Sequence, residues 1–109
     1  MKNVFKDIPY ADGKMGHRQL VNEKHLQVMQ VALKPGQQVP EHNANSNVHL
    51  LVIEGQIVVT LAGQENVAAK GSLLPVAYKT LMNIRNDTAE TASFLVFKSP
   101  NPSEMEGKV

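Results

Sequence analysis

The chain has no cysteine, so disulfides, thiolate nucleophiles and cysteine-ligated zinc or iron–sulfur centres are excluded. Long hydrophobic runs are missing as well. No stretch approaches the ~18 consecutive apolar residues of a membrane span, and MKNVFKDIPYADGK at the N-terminus lacks the apolar core of a signal peptide. A cytoplasmic protein with no membrane partner is expected. Nor is there a run of one charge sign: acids and bases are interleaved, the net charge is +1 and the pI is about 8.0. That falls short of the basic footprint of a nucleic-acid binder, and no helix-turn-helix pattern accompanies it, so no nucleic-acid partner is expected. Sustained 3.6-residue periodicity is also absent.

What the sequence does contain is short β-type runs between Gly, Pro and Asn punctuation. HLQVMQVAL, from His25 to Leu33, alternates, with Gln27, Met29, Val31 and Leu33 on one side, and Lys34-Pro35-Gly36 stops it. Val39–Ala44 is a second extended piece, in which Pro40 suits an edge. Val48–Ile53 is apolar on both faces: Val48, Leu50 and Val52 on one, His49, Leu51 and Ile53 on the other. Strands are further expected over Ile57–Leu61, Asn66–Ala69, Thr80–Arg85 and Thr91–Lys98. Val4, Phe5 and Ile8 suggest a short edge strand ending at Pro9, whereas ADGKMG reads as a turn. At 109 residues this makes one domain: an N-terminal segment or edge strand (1–24), a barrel (25–98) and a flexible tail (99–109). The pattern reaches the class of antiparallel sandwich or barrel.

Two phrases narrow the class. In GQQVPEHNANSNVHLLVIEG, five residues separate Gly36 from His42, and GSLLPVAYKTLMNIRN opens at Gly71 after a connection of 15 residues from Gly55. Their spacing resembles the two motifs of the cupin family, and the chain is similar to small single-domain cupins from about Leu26 to Lys98. Laid on the motifs without gaps, the family's glycines fall on Gly36, Gly55 and Gly71, its first histidine on His42 and its closing asparagine on Asn86. The resemblance implies an all-β, double-stranded β-helix (jelly-roll) barrel. It also implies a central divalent metal held by three histidines and a glutamate. Here the second histidine is replaced by Ala44, the glutamate by Val48 and the third histidine by Met82. Hydrocarbon side chains donate nothing, and a thioether is a soft ligand suited to copper(I) and poor for the other metals. No metal or other cofactor is therefore expected.

If a metal binds, its ligands would be His42 and His49, with a one-residue bulge in NANSNV turning His49 inward. Asn43, Asn45 and Asn47 read as a polar loop at the barrel mouth. The expected ligand pocket is His42, Ala44, Val48, Leu50, Tyr78 and Met82, with the imidazole at its floor. His42 is the best candidate for a catalytic group, and Tyr78 the one acid partner to set beside it. In the plainer reading, His42 is a strand residue bonded to backbone or water. His17 and His25 lie outside both motifs and read as exposed or capping. Where the family has Pro-x-Gly, the chain has Ala77-Tyr78-Lys79, which puts the tight turn there in question.

The outward face of Val48–Ile53 needs a cover, either the N-terminal segment or a second subunit. Small cupins pair back to back, so a homodimer is expected, and a small-molecule ligand is the other expected partner. Three functions follow from these residues. A metal-free barrel binding a small, mostly apolar molecule is preferred. The alternatives are a metal-dependent dioxygenase or isomerase with substitute ligands around His42, and a metal-independent isomerase or epimerase with His42 as base.

Overall fold

A computed structural model describes residues 1–105. Within them lie nine strands: β1 (Gly16–Glu23), β2 (Leu26–Leu33), β3 (Gln38–Asn43), β4 (Val48–Glu54), β5 (Gln56–Leu61), β6 (Gln64–Ala69), β7 (Leu73–Val76), β8 (Leu81–Arg85) and β9 (Ala92–Lys98). They form two antiparallel sheets, ordered β1-β2-β9-β4-β7 and β3-β8-β5-β6. The sheets pack face to face as the double-stranded β-helix. Their common core takes Leu33, Leu50, Val52 and Phe94 from the larger sheet and Ile57, Val59, Met82 and Ile84 from the smaller. Among the described residues no helix is long and apolar enough to cross a membrane.

The seven strands expected from residue 25 onward are all present, with bounds shifted by at most two residues. Proline placement follows the ladder rule: Pro40 lies in β3 and Pro75 in β7, each an edge strand, where a missing N–H costs no ladder bond. The motif glycines have φ of +81° (Gly36), +69° (Gly55) and +93° (Gly71). Gly55 is doubly constrained, because a Cβ there would also stand 2.3 Å from the Thr91 carbonyl oxygen. Asn86 is wholly buried, and its amide donates to the carbonyls of Leu33 (3.1 Å) and Glu90 (2.7 Å). Its oxygen accepts from the Thr88 N–H and hydroxyl, so one side chain stitches the end of β2 to the β8–β9 connection.

The N-terminal third departs from expectation. Val4–Ile8 is no strand. Arg18 on β1 donates to the carbonyls of Asn3, Lys6 and Asp7 at 3.3, 3.1 and 3.0 Å, which consumes the acceptors a ladder would need. The strand of this region is β1, a hairpin partner of β2. Residues 3–7 lie as a strap over the outer face of the larger sheet. Gln30, fully buried on β2, fastens them: it donates to the Val4 carbonyl (2.8 Å) and to Ser93 Oγ (3.1 Å) and accepts from Arg18 Nε (2.8 Å).

The tail is also corrected in part. Residues 99–105 are tied down, with a single 3-10 turn at Pro102–Glu104. Asn101 is buried, its N–H donates to the Lys24 carbonyl (3.0 Å) and its amide to Asn22 Oδ1 (2.7 Å). The remainder of the expected flexible tail, residues 106–109, lies outside the described residues.

The outer face of β4 is already largely covered within one chain. Ile53 is 7% exposed and Leu51 is half-buried. This leaves Leu73 of β7, at 62% exposure, as the open apolar residue of that row.

Candidate functional site

A cavity of about 240 Å³ opens at one end of the barrel. Inner-face residues of β2, β4, β8 and β9 line it, together with Met15, His17, Val39 and His42. Burial grades along it. Leu50, Met82, Ile84 and Phe94 are buried and form the deep end, while His17 and His42 are exposed and Lys98 is half-buried, so these three make the rim. Strand alternation explains the lining. Phe94, Val96 and Lys98 are successive inward residues of β9, and Met29 and Val31 pair with Val96 and Phe94 across the ladder.

Of the six residues expected to form the pocket, His42, Leu50 and Met82 line it, and His42 and Met82 are direct partners across β3 and β8. Ala44 and Val48 do not: both are buried in the core beyond the cavity. Tyr78 is absent from the lining too. It sits half-buried in the β7–β8 turn with the Lys79 ammonium 5.3 Å from its ring. The expected acid partner for His42 is therefore not beside it.

His42 itself is at the rim rather than the floor, because β3 is an edge strand whose side chains are mostly exposed. Its Nδ1 lies 2.9 Å from the Pro40 carbonyl oxygen, which orients the ring and leaves Nε2 toward other partners.

The substitute metal pair does not assemble. The β3–β8 irregularity falls between Val39 and His42 and the β4–β9 one between Val52 and Glu54, neither in NANSNV, and β4 runs in regular register from Val48 to Val52 with Val48 inward. His49 thus pairs with Phe97 and Pro75 on the outer face and is exposed. The NANSN segment is not a lining loop. Ser46 is buried and donates to the Pro100 carbonyl, and Ala44 bonds through its backbone to Lys79 and Thr80. Among the described residues no three His, Asp or Glu side chains come together in a metal-holding group.

The turn at 77–79 forms despite its altered sequence. Lys79, standing where the family motif has glycine, adopts φ +72°, and Thr80 N–H closes on the Ala77 carbonyl at 3.1 Å. A left-handed lysine costs about 1 kcal/mol or more, which the Lys79 N–H bond to Ala44 O (2.8 Å) helps to offset.

Sequence reasoning missed nine of the twelve lining residues, Met15, His17, Met29 and Lys98 among them. The phase of β9 was the available signal: once Phe94 is inward, Lys98 four residues on is inward as well. Lys98 is the sole ionisable lining group other than the two imidazoles, and burial pulls its amine below the usual lysine range.

Comparison with known proteins adds the following. No protein-family model matches the chain. An uncharacterized protein of Methanocaldococcus jannaschii is 37% identical over 87 residues, covering 79% of this chain and 75% of that one. A crystal structure of that protein, described as an RmlC-like cupin family protein with a double-stranded β-helix fold, superposes with a TM-score of 0.82 at 30% identity. The match covers 94% of this chain and 91% of the other. A double-stranded β-helix protein of Klebsiella pneumoniae matches with a TM-score of 0.85 at 16% identity, over 93% and 90% of the two chains, a likeness of fold.

Proposed function

The chain belongs to the cupin family, and from that membership we propose that it is a metal-free binding barrel whose cavity takes a small, mostly apolar molecule. The metal that family members hold at the barrel centre does not fit here. The four matching positions carry His42, Ala44, Val48 and Met82, and two of these are buried hydrocarbon in the core. One imidazole and one thioether are too few donors for a borderline divalent ion. The observation that carries the reading is the composition of the cavity: aliphatic, aromatic and thioether side chains at depth, no carboxylate in the lining among the described residues, and a lysine at the rim. A lysine ammonium there repels a metal cation, while the apolar floor favours hydrocarbon. The back-to-back homodimer remains a separate proposal, resting on exposed Leu73 and half-buried Leu51, and sedimentation equilibrium tests it.

Methyl-detected NMR titration with 1-hexanol, a neutral apolar probe, tests the binding reading. Saturable shifts at Leu50, Met82 and Ile84 are expected. They should vanish in Met29→Trp, where an indole from a half-buried lining position fills the space. Shifts that do not saturate, or that survive the filled cavity, contradict the proposal.

A further inference from the structure

Lys98 is the last residue of β9 and lies in phase with Phe94 and Val96, so its side chain starts on the inner face, between Gln27 of β2 and Val48 of β4. Lys98 lines the cavity. Ion pairs elsewhere in the described chain join His25 to Glu23, Lys34 to Asp12, and Arg85 to both Glu65 and Asp87. None involves Lys98, and the cavity wall holds no aspartate or glutamate. A half-buried ammonium without a counter-charge is costly, and an anion placed beside it recovers that cost. The remaining polar groups of the rim, His17 and His42, are imidazoles, so among the described residues the mouth carries no acidic group.

We propose that the ligand of this cavity is a small carboxylate, whose apolar body lies against Leu50, Met82, Ile84 and Phe94 and whose anionic group pairs with Lys98 at the rim. The inference rests on the binding reading above and names the ligand class for the same site. A single ammonium is a point charge matched to one carboxylate, whereas phosphate recognition draws on several converging donors. Size agrees. At about 30 Å³ per water in the liquid, 240 Å³ equals roughly eight waters, room for a body of about eight to ten non-hydrogen atoms.

The test is an NMR titration of the full chain with butyrate, hexanoate, octanoate and benzoate, each beside its neutral primary amide of the same shape. At least one carboxylate is expected to bind about tenfold more tightly than its amide, the worth of one charge-assisted hydrogen bond. In Lys98→Met and in Lys98→Gln the preference for carboxylate over amide should disappear, whatever happens to the common affinity of the two. Lys98→Gln serves the same purpose should the methionine variant fold poorly. Equal affinities for acid and amide in the wild type, or a preference that survives both variants, overturn the carboxylate proposal. The binding reading would then stand, with the lysine extending its ammonium into water and contributing only its stem. Failure of every acid and every amide to shift the cavity methyls overturns both.

Discussion

Phe94→Ala is expected to remove about 3–5 kcal/mol of folding stability, a large part of the ~5–15 kcal/mol that holds a domain folded. Phe94 is 0% exposed, sits mid-strand on β9 and belongs both to the core cluster and to the deep wall of the cavity. β9 is also the middle strand of the larger sheet, with β2 on one side and β4 on the other. Truncation there removes contacts to both neighbours at once, and the regular ladder to β2 leaves the backbone little freedom to close the void on that side. Urea unfolding measures the loss, and the melting temperature should fall by roughly 15 °C or more. Leu73→Ala is the control: at 62% exposure on an edge strand it should change stability by about 0.5 kcal/mol at most. A loss below about 1 kcal/mol in Phe94→Ala would mean that the barrel wall is not close-packed behind the cavity, and the deep end described above would be wrong.

The second large effect concerns the replaced metal donors. The triple variant Ala44→His, Val48→Glu, Met82→His restores the family's donors next to His42. It is expected to bind one nickel or zinc ion per chain. Without metal, the new polar groups at buried positions should make the variant far less stable than the wild type, because His and Glu would lose solvation with no partner. With metal in hundredfold excess over its dissociation constant, binding adds about 2.7 kcal/mol, a rise of roughly 10 °C in melting temperature. The wild type should not move on addition of the same salts. A variant that unfolds when apo and folds when loaded gives the same answer, since metal binding then drives folding. A folded variant that takes up no metal would show that positions 44, 48 and 82 do not converge as the family motif places them.

Much of this molecule was legible in the sequence, for identifiable reasons. The motif spacing placed Asn86 and the three positive-φ glycines correctly, because turns and strand ends impose local chemistry that a one-dimensional pattern records. Val48–Ile53 was readable through its two apolar faces, and Pro40 as an edge residue through the ladder bond a proline would break in a central strand, whereas β7 around Pro75 was not foreseen.

The errors share a cause: they concern elements whose partners are distant in sequence. β1 reads GHRQLVNE, too polar to announce a strand, because it is a sheet edge and one of its charges, Arg18, is spent on the strap. Val4–Ile8 looked extended only as long as the destination of its carbonyls was unknown. The pocket was mislocated toward Ala44, Val48 and Tyr78 because motif positions mark where a metal would sit, whereas the open space lies nearer the rim. That space shares Val39, His42, Leu50, Met82 and Ile84 with the motifs, but the rest of its wall is Met15, His17 and the inner faces of β2 and β9, outside both motifs. Lys98 follows from the phase of β9, but its isolation from any acid needed the whole barrel.

The central claim is the proposal that the positions matching the cupin metal motif, which carry hydrocarbon and a thioether beside His42, hold no ion. Elemental analysis of untagged protein, purified without chelators, tests it most directly. The account predicts manganese, iron, nickel, copper and zinc all well below stoichiometric amounts. One equivalent of any of them per chain, lost on His42→Ala, would contradict it.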